Sequence, residues 1–254
     1  MMSDSIRAVD RALDILMCFT RQTPSLSMTQ IADKIGMNKS TVHRLLGTLE
    51  KRHFLHRDAD SGQYQLGVHM LQMAHLALEN NTIRKAATPF LKELASRSQE
   101  TITLSILDGN EVIFLNVIES PQRVKLAASV GQRMPAFATA AGKAMLSRLD
   151  KSQVEKILDQ GMQRYTPHTV RTKAALLENI AVARRQGFAI SMQEYEDGIN
   201  AVAAPVLAMD GSLMAAVTVA GPAYRFSREK MLEVGPAIIV IGEAIARQLD
   251  LGGG

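Results

Sequence analysis

The chain has 254 residues, a hydrophobic fraction of 46% and a formal net charge of +4, which is typical of a folded globular protein with room for two domains. Its single cysteine, Cys18, excludes an internal disulfide and a cysteine-rich zinc site. The sequence shows neither a secretory signal nor an apolar run of membrane-spanning length. We therefore expect a cytoplasmic protein with no membrane partner, no cofactor and no metal site.

Residues 5–21 predict the first helix of the chain, because apolar side chains recur there at helical spacing. Cys18 lies among them and is expected to be a core thiol. We expect the other apolar side chains to face inward, so that this helix supports the segment that follows: Ile6, Val9, Ala12, Leu13, Leu16 and Met17.

Residues 27–52 predict two short helices joined by a tight turn. Ser27 and Gln30 have capping-box spacing, which satisfies free amides at a helix start. Gly36 can take the left-handed conformation that ends a helix, and Asn38 is a favourable cap for the next one. The pattern is that of a helix-turn-helix.

The second of these helices has one apolar face and one polar, basic face. Its apolar residues recur at the spacing of a buried stripe: Val42, Leu45, Leu46 and Leu49. The segment from Lys34 to Arg57 holds six basic residues and one acidic residue, a local net charge of +5. A recognition helix in the major groove carries such groups, although an ordinary helix pair with a solvated basic face is the alternative. We predict DNA contacts from Ser27, Thr29, Lys39, Ser40, Thr41, His43 and Arg44.

Residues 54–57 and 63–66 predict two short strands around an Asp/Ser/Gly turn at 58–62. A hairpin directly after a helix-turn-helix is a wing. Wings usually follow the DNA backbone or the minor groove, so Arg57 is a further candidate contact, to phosphate.

The rest of the chain predicts a connecting helix and then a mixed domain. The connecting helix over 67–80 ends at the polar pair Asn80-Asn81, where we place the domain boundary. Hairpin strands flanked by helices then indicate an α+β class with an antiparallel-rich sheet. Helices are predicted at 82–98, 139–148, 152–160, 173–186 and 227–249, and strands at 101–107, 111–119, 123–129, 188–194, 199–208 and 212–220. The predicted domains are a DNA-binding unit (1–66), a linker helix (67–81) and a C-terminal domain (82–254).

The segment Thr139-Ala140-Ala141-Gly142 begins a predicted helix with small residues. Backbone amides left open at such a helix end suit a carboxylate. The alternative is that small residues only allow close helix packing, and the spacing does not decide between the two. The following Gly-Lys pair does not indicate a phosphate loop, because Phe137 stands where that motif needs glycine.

Three stretches of the chain resemble the isocitrate lyase regulator (IclR) family of bacterial transcription factors. They are KSTVHRLLGTLEK at 39–51, RMPAFATAAGKAMLS at 133–147 and GFAISMQEYEDGINAVAAPVLAMDGSLMAAVTVAGP at 187–222. The resemblance implies an N-terminal winged helix-turn-helix, a linker helix that helps the protein to dimerise, and a GAF/PAS-like C-terminal domain that binds a small metabolite. Family members typically form dimers or tetramers, and repression is commoner among them than activation.

The resemblance also implies an effector site. Matched motif to motif, its positions fall at Phe137, Ala140, Ala141, Ser191, Ala201, Thr218 and Ala220. Many members have an acidic residue at the place of Ser191, a polar one at Ala201 and a histidine at Phe137. This chain is therefore predicted to have a roomier, more apolar cavity that suits an organic acid, aromatic acids included. Glu194 and Glu196 are expected on solvated strand edges or at subunit contacts.

The wing departs from the family pattern at one place. Many relatives have a glycine just before the first wing strand, where this chain has His53. If the turn needs a positive φ, histidine tolerates it less well than glycine. We therefore expect the start of the hairpin to shift by one residue.

These features predict a sequence-specific transcriptional repressor, acting as a homodimer or homotetramer on a near-palindromic double-stranded operator and controlled by a small carboxylate. An enzyme is one alternative, but the chain has no HExxH, no GxSxG and no paired cysteine and histidine, so we expect no catalysis. The other alternative is an architectural DNA-binding protein whose C-terminal domain serves only for assembly. Nothing in the charge pattern excludes it.

Overall fold

A computed structural model describes residues 6–20, 22–159 and 161–251, and the chain divides into two compact units between Asn80 and Asn81. The predicted helix-turn-helix, hairpin and connecting helix all form in the first unit. The predicted ends of the first helix, residues 5 and 21, lie outside the described residues, and residues 18–20, which were predicted to continue it, are not helical. Along the chain the elements are α1 (Arg7–Met17), α2 (Met28–Ile35), α3 (Lys39–Lys51), β1 (Leu55–Arg57), β2 (Tyr64–Leu66) and α4 (Val68–Glu79).

Local capping interactions determine where α2 and α3 begin and end. Ser27 Oγ accepts from the Gln30 amide at 3.3 Å, and Gln30 Oε1 accepts from the Ser27 amide at 2.8 Å, which is the predicted capping box. Gly36 ends α2 in the left-handed conformation, with φ 63°. Asn38 Oδ1 accepts from the Thr41 amide at 3.0 Å and caps α3. The turn of the helix-turn-helix is therefore encoded locally.

The orientation that the sequence predicts for α1 is wrong for four of its six apolar residues, whereas Leu16 is half-buried and packs on the core as predicted. Ile15 is fully buried, and Cys18 is buried in the same core, as expected for the thiol. Burial also raises the pKa of the Cys18 thiol. The helix packs on α2 and α3 through the face that carries Ile15, so the more apolar stripe is left outside. Four of its residues are 52% to 73% exposed: Ile6, Val9, Leu13 and Met17.

The turn between α3 and the wing does need a left-handed residue. His53 takes that conformation with φ 58°, and β1 begins at Leu55, one residue later than the predicted strand. The returning chain passes close by, since an ideal Cβ on Gly67 would lie 2.2 Å from the His53 carbonyl oxygen. His69 Nδ1 lies 2.6 Å from the Arg52 carbonyl oxygen. This close packing holds the histidine where a glycine would be unstrained.

The second unit contains a six-stranded antiparallel sheet in the order β5-β4-β3-β8-β7-β6. The predicted α+β class is confirmed. None of the helices among the described residues is long and apolar enough to cross a membrane. The elements are α5 (Thr82–Ser98), β3 (Thr101–Asp108), β4 (Glu111–Ile118), β5 (Arg133–Pro135), a 3-10 turn (Ala136–Ala138), α6 (Ala140–Leu146), α7 (Lys151–Leu158), α8 (Lys173–Gln186), β6 (Ala189–Met192), β7 (Ile199–Leu207), β8 (Leu213–Pro222) and α9 (Arg228–Leu251).

The strand predicted at 123–129 does not form. Residues 119–132 are irregular and largely exposed, and β5 takes the edge of the sheet beside β4 instead. The Arg133 guanidinium helps to hold β5 there, because it donates to Glu111 at 2.6 Å and to Asp108 at 2.7 Å. The apolar alternation at 123–129 therefore lacks a sheet partner, which a local pattern cannot reveal.

The sheet has two covered faces. One face carries larger side chains such as Ile102, Leu104 and Val219, and it packs against α5 and α9. The other face carries smaller and polar side chains and packs against the 3-10 turn, α6 and α8. Because side chains alternate along a strand, Thr103 and Thr218, which pair across β3 and β8, lie on this second face. The register thus brings polar groups beneath α6.

Candidate functional site

The face of α3 opposite its buried stripe is open to solvent. Val42 and Leu46 are fully buried and fix the helix in the core of the first unit. A shallow surface depression continues along the open face to Thr48, Lys51 and Arg52, which the sequence analysis did not name as contacts. The open face also carries predicted contacts, of which Thr41 is half-buried and the others are exposed: Lys39, Ser40, Thr41, His43 and Arg44.

The remaining predicted DNA contacts lie at the start of α2 and on the wing. The hydroxyl of Ser27 is engaged in the helix cap, whereas Thr29 is exposed in the first turn of α2. Arg57 is exposed and lies along the hairpin: its Nε donates to the Gly62 carbonyl at 3.3 Å, and its guanidinium carbon lies 5.7 Å from the centre of the Tyr64 ring. The wing therefore presents an oriented positive charge.

The wing is held by its own turn and by a distant segment. Asp58 Oδ1 accepts from the amide of Ser61 at 2.8 Å and from its hydroxyl at 2.6 Å. These hydrogen bonds from Ser61 lower the pKa of the Asp58 carboxyl. Leu26 and Tyr64 pair through two backbone hydrogen bonds of 3.0 and 2.8 Å, which tie β2 to the start of α2. No local sequence signal indicated that pairing.

The second unit encloses a cavity of about 60 Å³ between the sheet and the start of α6. Its lining includes residues of α6 and of the neighbouring strands β6, β7 and β8. Six of the seven residues that the sequence predicts for the effector site line it: Ala140, Ala141, Ser191, Ala201, Thr218 and Ala220.

Phe137 does not line this cavity, so that expectation is wrong. It is buried in the 3-10 turn before α6, and its ring centre lies 6.1 Å from that of Tyr165. Successive side chains of a 3-10 turn point about a third of a turn apart. As a result its neighbour Ala138, and not Phe137, lines the cavity.

The cavity also includes residues that the sequence analysis did not assign to it. The expectation of solvated strand edges is wrong for Glu194, which is buried, whereas Glu196 is exposed and contributes to the lining. The alternation of side chains along β3 could be read from the sequence and shows which residues share a face with Thr103. That this face meets α6 is visible only in the structure. The added lining residues include Thr103, Val112, Phe114, Met134, Tyr195 and Glu196.

The lining is apolar apart from a few hydrogen-bonding groups. The hydroxyls of Thr103 and Thr218 are buried and have no hydrogen-bond partner within the described residues. Ser191 Oγ donates to the Ala138 carbonyl at 3.3 Å. None of the lining residues is Lys, Arg or His, and Glu196 is the charged one among them.

The start of α6 shows the close packing that was one of the two alternatives left open by the sequence, while carboxylate binding there stays a prediction. Thr139 Oγ1 accepts from the Gly142 amide at 3.1 Å and caps the helix. An ideal Cβ on Gly142 would lie 2.0 Å from the Ala136 carbonyl oxygen, so this glycine serves close packing. Ala140 and Ala141 line the cavity, and first-turn amides have no acceptor within their own helix.

Residues 75–247 match the family described as bacterial transcriptional regulator IclR C-terminal, and residues 8–59 match the IclR helix-turn-helix domain. XynR of Escherichia coli, an HTH-type transcriptional regulator, is 32% identical over 246 residues, which cover 96% of this chain and 97% of XynR. AllR of Salmonella typhimurium, an HTH-type transcriptional repressor, is 29% identical over 246 residues, which cover 96% of this chain and 90% of AllR.

A solved structure shares the fold. It is an IclR homologue from Microbacterium hydrocarbonoxydans complexed with 4-hydroxybenzoate, with a TM-score of 0.81 and 24% sequence identity, covering 96% of this chain and 99% of that one. The two domain matches, and the similarity to XynR along nearly the whole chain, show family membership as well as the fold. The chain therefore belongs to the IclR family of bacterial transcriptional regulators, with an N-terminal DNA-binding helix-turn-helix and a C-terminal effector domain.

Proposed function

We propose that the chain is a transcriptional repressor whose operator affinity is controlled by a compact organic monocarboxylate bound beneath α6. The main support for a bound ligand is the pair of buried hydroxyls on Thr103 and Thr218, which have no hydrogen-bond partner within the described residues. A buried polar group left unpaired costs about 1–3 kcal/mol. Folding alone gives no reason for two of them in an apolar cavity, whereas a polar ligand would satisfy both.

The charges around the cavity favour a single carboxylate. A carboxylate can be held by the open amides of Ala140 and Ala141 together with hydroxyl donors, without a cationic side chain. A second negative charge would find no Lys, Arg or His in the lining and would face the carboxylate of Glu196. Like charges in a partly buried site repel strongly. The proposed effector is therefore a monoanion with an apolar body.

The volume of the cavity sets the size of the effector. A volume of about 60 Å³ holds roughly four to six water-sized groups at about 10–15 Å³ each. Aromatic acids such as 4-hydroxybenzoate, which the Microbacterium homologue holds, would need the walls to move outward. Leu126 is the wall residue suited to this, because it lies in the irregular segment 119–132. Aromatic acids are accordingly the larger members of the proposed class.

The proposed DNA target is a near-palindromic operator read by two copies of the chain. In a symmetric dimer, two α3 helices would enter successive major grooves about 34 Å apart or a multiple of that distance. Exposed apolar side chains on α1, such as Leu13 and Met17, and on α4, such as Leu71 and Leu76, support self-association, because exposed apolar patches mark interaction sites. The cytoplasm is the proposed location, since the target is DNA.

The dimer is tested by mutating that apolar surface. Leu13→Glu and Leu71→Glu should lower the average mass measured by light scattering toward that of one chain. The matched control is Met209→Glu, which replaces an apolar residue of the second unit that is about as exposed as Leu71 and should leave the mass unchanged. A wild-type protein that is monomeric at all concentrations would refute the proposed dimer, and a dimer that survives both substitutions would remove this surface from it.

The proposed mechanism is linkage between effector and DNA. An effector that binds one arrangement of the protein better than another changes DNA affinity by the ratio of its two affinities, and DNA changes effector affinity by the same factor. Couplings of this kind are about 1–3 kcal/mol, or roughly 5- to 150-fold. The relative AllR is a repressor, and we propose the same sign for this chain, with effector binding releasing the operator.

The effector class is tested by a thermal-shift screen at fixed salt. The panel contains glyoxylate, pyruvate, benzoate and 4-hydroxybenzoate as monoacids, phthalate as a diacid, and benzamide as a neutral match for benzoate. A ligand at about 100 times its Kd stabilises the folded state by about 2.7 kcal/mol, so a true effector raises Tm. We expect shifts with monoacids and none with phthalate or benzamide.

Each positive acid is then carried into a DNA titration at the same salt concentration, using an operator selected from random duplexes. Weaker DNA binding in the presence of the acid would support the proposed switch, and tighter binding would reverse its sign. If glyoxylate binds more tightly than every aromatic acid, the aromatic class is removed. If no acid shifts Tm or DNA affinity, the effector proposal fails and the architectural alternative is favoured. Formation of product from any acid would instead support an enzyme.

A further inference from the structure

Lys143 and Glu194 form an ion pair deep in the second unit. Their side chains are only 2% and 10% exposed. Lys143 Nζ donates to Glu194 Oε1, while Glu194 Oε2 is buried with no hydrogen-bond partner in the described part of the chain. Desolvation by burial lowers the pKa of the Lys143 ammonium against the opposing attraction of Glu194. Both charges are thus held where their hydration is lost.

Such a pair is a poor device for stability alone. Removing two charges from water costs more than their attraction commonly returns, and apolar residues of similar volume often stabilise a core equally well or better. The other residues of α6 are small or apolar and fully compatible with an apolar partner at this position, including Ala144, Met145 and Leu146. The pair therefore calls for a role other than holding the core together.

The pair connects two walls of the cavity. Lys143 lies one turn after Ala140 in α6, and Ala140 lines the cavity. Glu194 lies in the loop between β6 and β7, directly before the lining residues Tyr195 and Glu196. The ion pair thus sets the distance between the helix start and the β6–β7 loop.

The same loop is also held by neutral groups of the segment 165–169. Thr169 Oγ1 donates to the Glu194 carbonyl at 2.6 Å, and Thr166 Oγ1 donates to the Gln193 carbonyl at 2.6 Å. The Tyr165 ring lies against Tyr195, with ring centres 4.9 Å apart. The side-chain carboxylate of Glu194, by contrast, accepts from Lys143 of α6. Loss of the ion pair would leave the loop attached but free to shift relative to α6.

We propose that Lys143 and Glu194 are positioning residues that hold the β6–β7 loop as a wall of the effector cavity. The inference rests on the proposed function in so far as the cavity is the effector site. The fold does not need the pair, but a tight cavity does, because a ligand in a space of about 60 Å³ loses contacts when a wall moves even slightly.

The test replaces the pair by an apolar match, Lys143→Met with Glu194→Met, in the full-length protein. Amide exchange measured by mass spectrometry should become at least about tenfold faster in residues 193–199 and remain unchanged in β3 and β8, as expected for a local opening. The Kd for pyruvate, a compact acid of the panel, should rise at least about tenfold, while Tm stays near the wild-type value. Met145→Ala is the control, because it removes a fully buried side chain of the same helix without touching the pair. It should lower Tm and leave exchange in 193–199 unchanged.

The proposal would be overturned if amide exchange in residues 193–199 of the double variant stayed at the wild-type rate. It would also be overturned if exchange in that segment became equally fast in Met145→Ala. Glu194→Gln is the second variant in case the double variant does not fold. It keeps the shape of the side chain and removes its charge, but the amide oxygen can still accept from Lys143, so the loosening should be in the same segment and smaller. Failure of both variants to fold would make the pair a requirement of folding and refute a positioning role. If wild-type protein does not bind pyruvate, that choice of effector fails, and the exchange comparison still decides the role of the pair.

Discussion

Thr103 and Thr218 lie opposite each other on β3 and β8, and the hydroxyls of both are buried without a hydrogen-bond partner in the described residues. Thr103→Val and Thr218→Val keep the side-chain shape and remove the unpaired hydroxyl. Each should raise the free energy of unfolding by about 1 kcal/mol and weaken binding of the effector, measured by urea unfolding and calorimetry. The control is Thr101→Val on the same strand, because Thr101 Oγ1 accepts from the Ser120 amide at 3.3 Å. It should lower stability. Equal stability losses at all three positions would refute the assignment.

Arg44 is the strongest candidate for a contact from α3 to DNA. It is an exposed cation on the face opposite the buried residues Val42 and Leu46. Arg44→Ala should weaken operator binding by about 1–3 kcal/mol if it reads a base, with effector affinity unchanged. Fluorescence anisotropy at several salt concentrations measures both the loss and the salt dependence. Arg97→Ala, which removes an exposed arginine of α5, is the control and should bind as wild type. An unchanged operator affinity would remove Arg44 from the interface.

Gly142 and Gly47 are both helical glycines, but their surroundings differ. A Cβ at Gly142 would meet the Ala136 carbonyl oxygen at 2.0 Å, whereas nothing lies within 4 Å of a Cβ at Gly47. Gly142→Ala should therefore lower the free energy of unfolding by about 1–3 kcal/mol, as overpacking does. Gly47→Ala should raise it by about 0.5–1 kcal/mol, since alanine is the better helix former. Urea unfolding of both variants measures the difference, and effects of the same sign would contradict the packing described for α6.

The pKa of Asp58 provides a pH-dependent test of the wing. Hydrogen bonds from Ser61 lower it below its ordinary value of 3.8. Because the folded pKa is the lower one, the stabilisation is fully present above pH 3.8 and is lost as the pH falls through the folded value. Ser61→Ala removes the hydroxyl donor and should move the pKa of Asp58 back toward 3.8, measured by carboxyl NMR titration. The pKa of Asp210, which its own neighbour Ser212 lowers, is the control and should not change. An unchanged pKa of Asp58 in Ser61→Ala would show that the Ser61 hydroxyl is not the main cause of the lowered pKa.

The elements that the sequence predicted well depend on interactions within a few residues. Ser27 with Gln30, and Asn38 with the Thr41 amide, form caps whose partners are three residues apart. Their geometry follows from backbone dihedrals and side-chain length, so pattern alone places the helix-turn-helix. The family motifs then located six of the seven proposed effector positions around one cavity.

The features that were missed depend on contacts between distant segments. Two of them join residues that are far apart in the chain: the pairing of Arg133 with Glu111 and the ion pair of Lys143 with Glu194. The third is the face that α1 buries, which is a choice between helix faces of similar polarity.

The sequence by itself therefore determined the helix caps of α2 and α3, the turn between them and the class of fold, because these are set by local hydrogen bonds and periodicity. Only the tertiary structure decided which strand completes the sheet edge and which polar groups share the cavity, because strand register and burial are set by packing across the whole domain.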